Sequence, residues 1–426
     1  MVAVTFFLVL VVVISLLKRR MATTVVTAPI IFTAAGVLLY FSRSSVLDQF
    51  PGWDQYDTAD PGFLIVAEIT LVIILFSESS HSRLDGDGAE DRLTLRLLLI
   101  ALPLAVVAGA ATAMGLFAGM ALWTALILAT ILAPTDASLG LAVVQSKRVP
   151  VVIRQTLMQE GGLNDGLAVP LLLFFIAVST SDSPGGAGDW VAFAVQQIGI
   201  GLLVGLAVGW LGARLMAAAV RRGWTDERSQ HLALLAIGLL AWAIAEHGLG
   251  GNGFIAAFYA GLGVKLAYRS APDDQPAFDE SWIDLLVYFV FFYFGLSAGP
   301  ALGSLTFEFW VYAAISLVVV RMLAVAISFI GAGLRPASTI FIGWFGPRGL
   351  AGIILLLIYL EELEHLGVQA DSDVILAAGA TILLSIAAHG ISANPGIKLY
   401  ARQLTDLSPE DPECDTDSTS TGNPAP

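Results

Sequence analysis

Residues 131–170 read ILAPTDASLGLAVVQSKRVPVVIRQTLMQEGGLNDGLAVP, and the fold is decided here. Two long apolar runs meet at a basic turn, Lys147-Arg148. The first run carries Pro134-Thr135-Asp136, and the second carries Glu160, Asn164 and Asp165 where only apolar side chains are expected. An ionised group in hydrocarbon is costly, so a carboxylate inside a span marks a functional site. Pro134 removes a backbone donor and strains the turn before it. Backbone groups freed in this way are tolerated at membrane depth only where protein or a water-lined cavity satisfies them. A broken helix beside buried carboxylates is how many secondary transporters build a cation site.

Composition agrees with a membrane setting. Of 426 residues, 57% are hydrophobic and 13% charged, the signature of a polytopic membrane protein. A span needs roughly 20 apolar residues. Thirteen can be drawn: 2–17, 21–42, 62–80, 93–113, 119–145, 151–179, 190–219, 229–247, 252–268, 282–300, 304–331, 337–360 and 373–394. The run from Val2 to Leu17 is followed by Lys18-Arg19-Arg20, the reverse of a signal peptide's charge order, so it reads as a retained first helix. The net charge of −14 gathers in loops and in the C-terminal tail, and nothing suggests nucleic-acid binding. Cys414 is the single cysteine, which excludes an intrachain disulfide.

Loop charge gives an orientation. Lys18, Arg83, Lys147, Arg148, Arg221, Arg222, Arg335 and Lys398 fall on one side of the thirteen spans, and the opposite loops hold little beyond Arg43. The positive-inside rule then predicts an outside N-terminus and a cytoplasmic C-terminus. Residues 1–403 are expected to form one transmembrane unit, and 404–426, rich in Pro, Ser, Thr and Asp, a disordered cytoplasmic tail. Spans four to six and eleven to thirteen run in opposite senses. The middle member of each triple carries a breaker: Pro134 in one, Gly346-Pro347-Arg348-Gly349 in the other. Interrupted segments at corresponding positions of two halves point to a transporter site.

Asp136 and Asp165 are the main candidates for chemistry, because a carboxylate ligates a hard monovalent cation and also takes a proton. One group then holds either H⁺ or a cation, and that competition couples the two fluxes. Asp136 also reads as a cap for the second half of its own broken helix. Thr135 offers a hydroxyl and a freed carbonyl. Glu160 and Asn164 share a helix face at i,i+4. Glu160 and Asp165 stand about 140° apart around a helix and do not point at one ion. Glu160 therefore needs another partner, and Arg321 and Arg348 are the intramembrane candidates. Arg348 is placed to compensate half-helix carbonyls at the second break or to tune the aspartates. Glu68, embedded in the third span, is a further site candidate. Glu246, His247 and His389 fall near span ends, where interfacial roles are expected. No cofactor motif stands out.

Several stretches resemble the NhaP and eukaryotic sodium/proton exchanger branch of the monovalent cation:proton antiporters. They are PTDAS at 134–138, EGGLNDG at 160–166, GNGFIAAFYAGL at 251–262, YFVFFYFGL at 288–296, the in-span Arg321, FGPRGLAG at 345–352 and HGISANP at 389–395. The resemblance implies an all-α, NhaA-like fold of thirteen helices with two crossed interrupted helices. A core domain would include spans 93–179 and 304–394, and a dimer domain the remaining spans. It implies Asp165 as the cation and proton carrier, Asn164 beside it, Thr135 and Asp136 as contributors, and a Glu160–Arg321 interhelical ion pair. Some members carry a coordinating Ser directly after this Glu; here that position is Gly161.

The expectation is therefore a transporter and not an enzyme. It exchanges Na⁺ or Li⁺ for H⁺ across the plasma membrane, one for one and electroneutrally, as a homodimer in the lipid bilayer. A K⁺/H⁺ exchanger is the alternative within transport. An intramembrane aspartyl protease is a poorer reading, since neither aspartate follows the Gly-x-Gly-Asp pattern of that class.

Overall fold

A computed structural model describes residues 2–21, 27–42, 61–81, 88–136, 139–180, 187–268, 280–404 and 413. The acidic loop residues Asp48, Asp54, Asp57 and Asp60 lie outside the described residues.

Helices account for the secondary structure named here, and they follow the apolar runs. They are α1 (Val2–Met21), α2 (Ala28–Ser42), α3 (Pro61–His81), α4 (Ala89–Leu116), α5 in two pieces (α5a, Leu122–Ile131; α5b, Leu141–Val144) and α6 (Val151–Ser179). Then come α7 (Ala187–Arg221), α8 (Glu227–Leu249), α9 (Gly253–Ala267), α10 (Glu280–Ala301) and α11 (Phe307–Ser328). The chain closes with α12 in two pieces (α12a, Pro336–Trp344; α12b, Leu350–His365) and α13 (Ser372–Gln403). Among the described residues, seven of these helices are long and apolar enough to cross a membrane. Large apolar side chains such as Leu16, Leu99, Val107 and Ile330 face outward, as the rim of a bundle solvated by lipid requires.

The breaks fall where the sequence places its breakers. α5a stops at Ile131, three residues before Pro134, and α12a stops at Trp344, before Gly346-Pro347. In each case a proline denies the helix its next donor. The repeat goes deeper than the breaks. α4 and α11 each contain a π-helical turn beginning eight residues in, at Leu97–Ala101 and Ile315–Val320. α6 and α13, the third members, each carry an internal proline, Pro170 and Pro395.

The largest buried cluster runs through helices of both groups below, from Leu71 of α3 and Phe258 of α9 to Leu163 of α6 and Ile382 of α13. One buried cluster joins α4, α6, α11, α12a and α13 through Leu97, Ile153, Val325, Ile342 and Ile397. Another joins α3, α7, α8 and α9 through Phe76, Ala213, Ile237 and Val264. The α7–α9 contact is a close approach of backbones. A Cβ on Gly205 or Gly209 would collide with the carbonyls of Ala256 or Ala260, so glycine permits the contact.

One tail residue beyond Leu404 is among the described residues. Glu413 is buried and accepts hydrogen bonds from the Arg335 backbone N–H (2.9 Å) and the Ser338 hydroxyl (2.6 Å). Its carboxylate thus caps the N-terminus of α12a, whose first N–H groups have no partner inside the helix. The remaining tail residues, 405–412 and 414–426, lie outside the described residues.

Candidate functional site

Each broken helix leaves carbonyls on one side of its gap and N–H groups on the other. The two gaps meet and satisfy each other. The Asp136 N–H donates to Pro347 O at 2.9 Å. The Leu350 N–H, at the start of α12b, donates to Asp136 Oδ2 at 2.6 Å. The Arg348 guanidinium donates through Nη1 to Pro134 O at 2.9 Å. Asp136 therefore caps α12b across the crossing. Arg348 is 1% exposed and returns a positive charge to the carbonyls past the end of α5a, at the first break and not the second.

α6 runs past this crossing and presents the second group of residues. Asn164 Nδ2 donates to Thr135 Oγ1 at 2.9 Å, which ties α6 to the break in α5. Asn164 Oδ1 is buried and, among the described residues, receives no hydrogen bond. A buried acceptor without a donor is costly. Asp165 follows directly and is buried, as are Thr135 and Asp136. One turn back, Glu160 meets Arg321 of α11 in a forked pair, Nη1 to Oε1 at 2.6 Å and Nη2 to Oε2 at 2.8 Å. Both side chains are at most 5% exposed. The argument from helix angle, which denied Glu160 and Asp165 a common target, thus matches where Glu160 points.

Glu68 has different company. Its carboxylate accepts from Trp242 Nε1 of α8 at 3.2 Å, and it acts electrostatically on Glu361 near the end of α12b, as does Glu246. Glu361 lies eleven residues beyond Leu350, about 16 Å along the helix from the crossing at 1.5 Å per residue. Glu68 thus shares an electrostatic neighbourhood with Glu361 and Glu246.

Two groups escape a reading of the sequence. Asp91 of α4 is 2% exposed and accepts from Gln159 Nε2 at 2.9 Å, while Thr94 donates to Gln159 Oε1 at 2.8 Å. This buried set adjoins Glu160. The second is His389, expected at an interface because it sits near the end of the apolar run. α13 continues to Gln403, so His389 falls well inside the helix, and it is 3% exposed. The spacing of Ser385, His389 and Ser392 on one helical face was the available signal.

Two interrupted helices that meet at their breaks, with carboxylates and an unsatisfied amide oxygen beside them, are the arrangement that many secondary transporters use. A family model described as sodium/hydrogen exchanger, transmembrane, matches residues 4–398, and the chain belongs to that family. A probable Na⁺/H⁺ antiporter of Schizosaccharomyces pombe is 25% identical over 266 residues, 59% of this chain and 35% of the relative. A K⁺/H⁺ antiporter, NhaP, of Alkalimonas amylolytica is 28% identical over 341 residues, 76% of this chain and 56% of the relative. The chain thus spans about a third to just over half of these two relatives. The fold is that of the sodium proton antiporter MjNhaP1 from Methanocaldococcus jannaschii, with a TM-score of 0.75 at 19% identity, covering 95% of this chain and 99% of that one.

Proposed function

We propose that the protein exchanges a monovalent cation for protons at Asp165, with Asn164, Thr135 and Asp136 completing the site. The observation that carries this reading is the orphaned Asn164 Oδ1, buried beside an aspartate and tied through its own amide to Thr135 in a broken helix. A site that is short of a donor and rich in acceptors suits a cation. The adjacent carboxylate supplies the charge. When a proton neutralises it, the cation loses its counter-charge and leaves.

Na⁺ or Li⁺ is the proposed cargo, exchanged one for one. Asn164 cannot titrate, so a single carboxylate serves the exchange, and one positive charge moves each way. The helices joined through Leu97, Val325 and Ile397 would form the moving core, and those joined through Ala213 and Val264 the dimer domain. Alternating access then carries Asp165 between the two faces. The proposed setting is the plasma membrane, with an outside N-terminus and a cytoplasmic C-terminus. K⁺ is the second reading. It is supported by the name of the Alkalimonas relative and by Gly161, which offers no side-chain oxygen. The test is dissipation of a pH gradient in proteoliposomes by Na⁺, Li⁺ and K⁺ in turn. Gradient loss with none of the three ions would overturn the proposal; loss with K⁺ alone selects the second reading.

A further inference from the structure

The gap in α12 is itself held from a third helix. Trp344 O, at the end of α12a, faces His389 Nε2 of α13 at 2.8 Å. The Arg348 N–H, on the far side of the gap, donates to Ser385 Oγ at 2.7 Å. Ser385 Oγ in turn lies 3.1 Å from His389 Nδ1. The Trp344 indole donates to Ser392 Oγ at 2.9 Å, and the Trp344 and His389 rings pack with centroids 5.1 Å apart. Ser385, His389 and Ser392 stand at i, i+4 and i+7, so one face of α13 spans the whole gap.

The donor sense of the central bond follows from chemistry. A carbonyl only accepts, so His389 Nε2 carries the hydrogen on Trp344 O. Nδ1 of the neutral ring is then an acceptor for the Ser385 hydroxyl hydrogen, 3.1 Å away; a hydrogen on Nδ1 instead would go to Ser385 O and leave Nε2 and Trp344 O as two facing acceptors. With Nε2 as donor, Ser385 Oγ keeps a lone pair for the Arg348 N–H. The carbonyl that ends α12a and an N–H just before α12b are thus fixed to two side chains one helical turn apart.

The next residues past the gap are those that reach the cation site. Arg348 Nη1 holds Pro134 O, and the Leu350 N–H holds the Asp136 carboxylate. A gap that widens or turns therefore moves the cap on Asp136 and, through the chain, Thr135. We propose that Ser385 and His389 are positioning residues for the cation site, setting the width of the α12 gap and so the placement of Asp136 and Thr135. This rests on the exchange reading given above. The pair touches no cation. It acts through Arg348 and Leu350.

Two imidazole positions have distinct amide mimics. Gln places its Nε2 where the His Nε2 stands, and Asn places its Nδ2 near the His Nδ1. The experiment compares H389Q, H389N, H389A and S385A in proteoliposomes, reading cation KM and maximal rate alongside thermal stability in detergent. Wild-type protein and D165N are run beside them. The expected result is a KM raised about tenfold in H389A, H389N and S385A, with H389Q within about threefold of wild type, since a tenfold change answers to about 1.4 kcal/mol. A structural role alone would lower stability and the number of active molecules while leaving KM unchanged in every variant, and that result overturns the proposal. Equal KM in H389Q and H389A overturns it as well, because the Trp344 bond would then set nothing. Failure of all three His389 variants to fold also overturns it, as it makes the residue structural. If wild-type protein exchanges no cation, or D165N exchanges normally, the exchange reading fails first, and the two failures are told apart.

Discussion

Replacing Glu160 by Gln strands the Arg321 guanidinium. Both of its terminal nitrogens bond only to Glu160 Oε1 and Oε2 in the described structure, its Nε has no partner there, and the side chain is 5% exposed. No water replaces the lost carboxylate without a path to it. Breaking one side of a buried pair costs roughly 3–5 kcal/mol, most of it the uncompensated charge. Arg321→Met leaves Glu160 alone instead, but a carboxyl can take up a proton and become neutral, whereas a guanidinium stays charged. E160Q is therefore the more costly substitution. The double variant removes both charges, and its loss should fall short of the sum by about 3 kcal/mol. Equilibrium unfolding in mixed micelles, run as a double-mutant cycle, measures this. Additivity to within about 0.5 kcal/mol, the margin for independent sites, would refute the reasoning, as would a smaller loss in E160Q than in R321M.

Other outcomes follow from the site. D165N should abolish cation-dependent proton flux while the protein elutes and melts as wild type does; retained flux sinks the carrier assignment. If cation and proton compete for Asp165, the apparent cation KM rises as pH falls, by at most tenfold per unit, the limit for one linked proton; a flat KM in proteoliposomes at several pH values argues against a shared site. One-for-one exchange leaves flux indifferent to a clamped membrane potential, where each uncompensated charge would feel about 2.3 kcal/mol per 100 mV. Gly349→Ala puts a Cβ against Asp136 Oδ2 and the Leu139 side chain, so it should lower transport more than G367A, a turn glycine with open space around its Cβ position that scores general backbone strain. Truncation after Gln403 removes the Glu413 cap and should lower the melting temperature by a few degrees, consistent with about 1 kcal/mol for a helix N-cap; an unchanged melt would show the cap to be dispensable.

Much of this protein is legible from sequence because the bilayer permits few solutions. Apolar runs must become helices, since no other open segment satisfies its backbone in hydrocarbon. The breakers at Pro134 and at Gly346-Pro347 mark where the helices stop, and carboxylates inside spans announce themselves by their cost. The angle between Glu160 and Asp165 follows from helix geometry alone. What the sequence by itself does not determine is which gap meets which. Asp136 is a plausible cap for the helix that follows it, yet the orphaned N–H it satisfies belongs to Leu350, 214 residues away. His389 looks interfacial by its place in an apolar run and becomes central only because α13 runs on to Gln403 and lies across the gap in α12. Glu68 sits mid-run like Asp165, but it accepts from Trp242 of α8 and bears electrostatically on Glu361 of α12b, pairings that the sequence does not announce. Local pattern determines which backbone and side-chain groups a membrane protein must satisfy. The partners that satisfy them come from other helices, and only tertiary packing chooses among those.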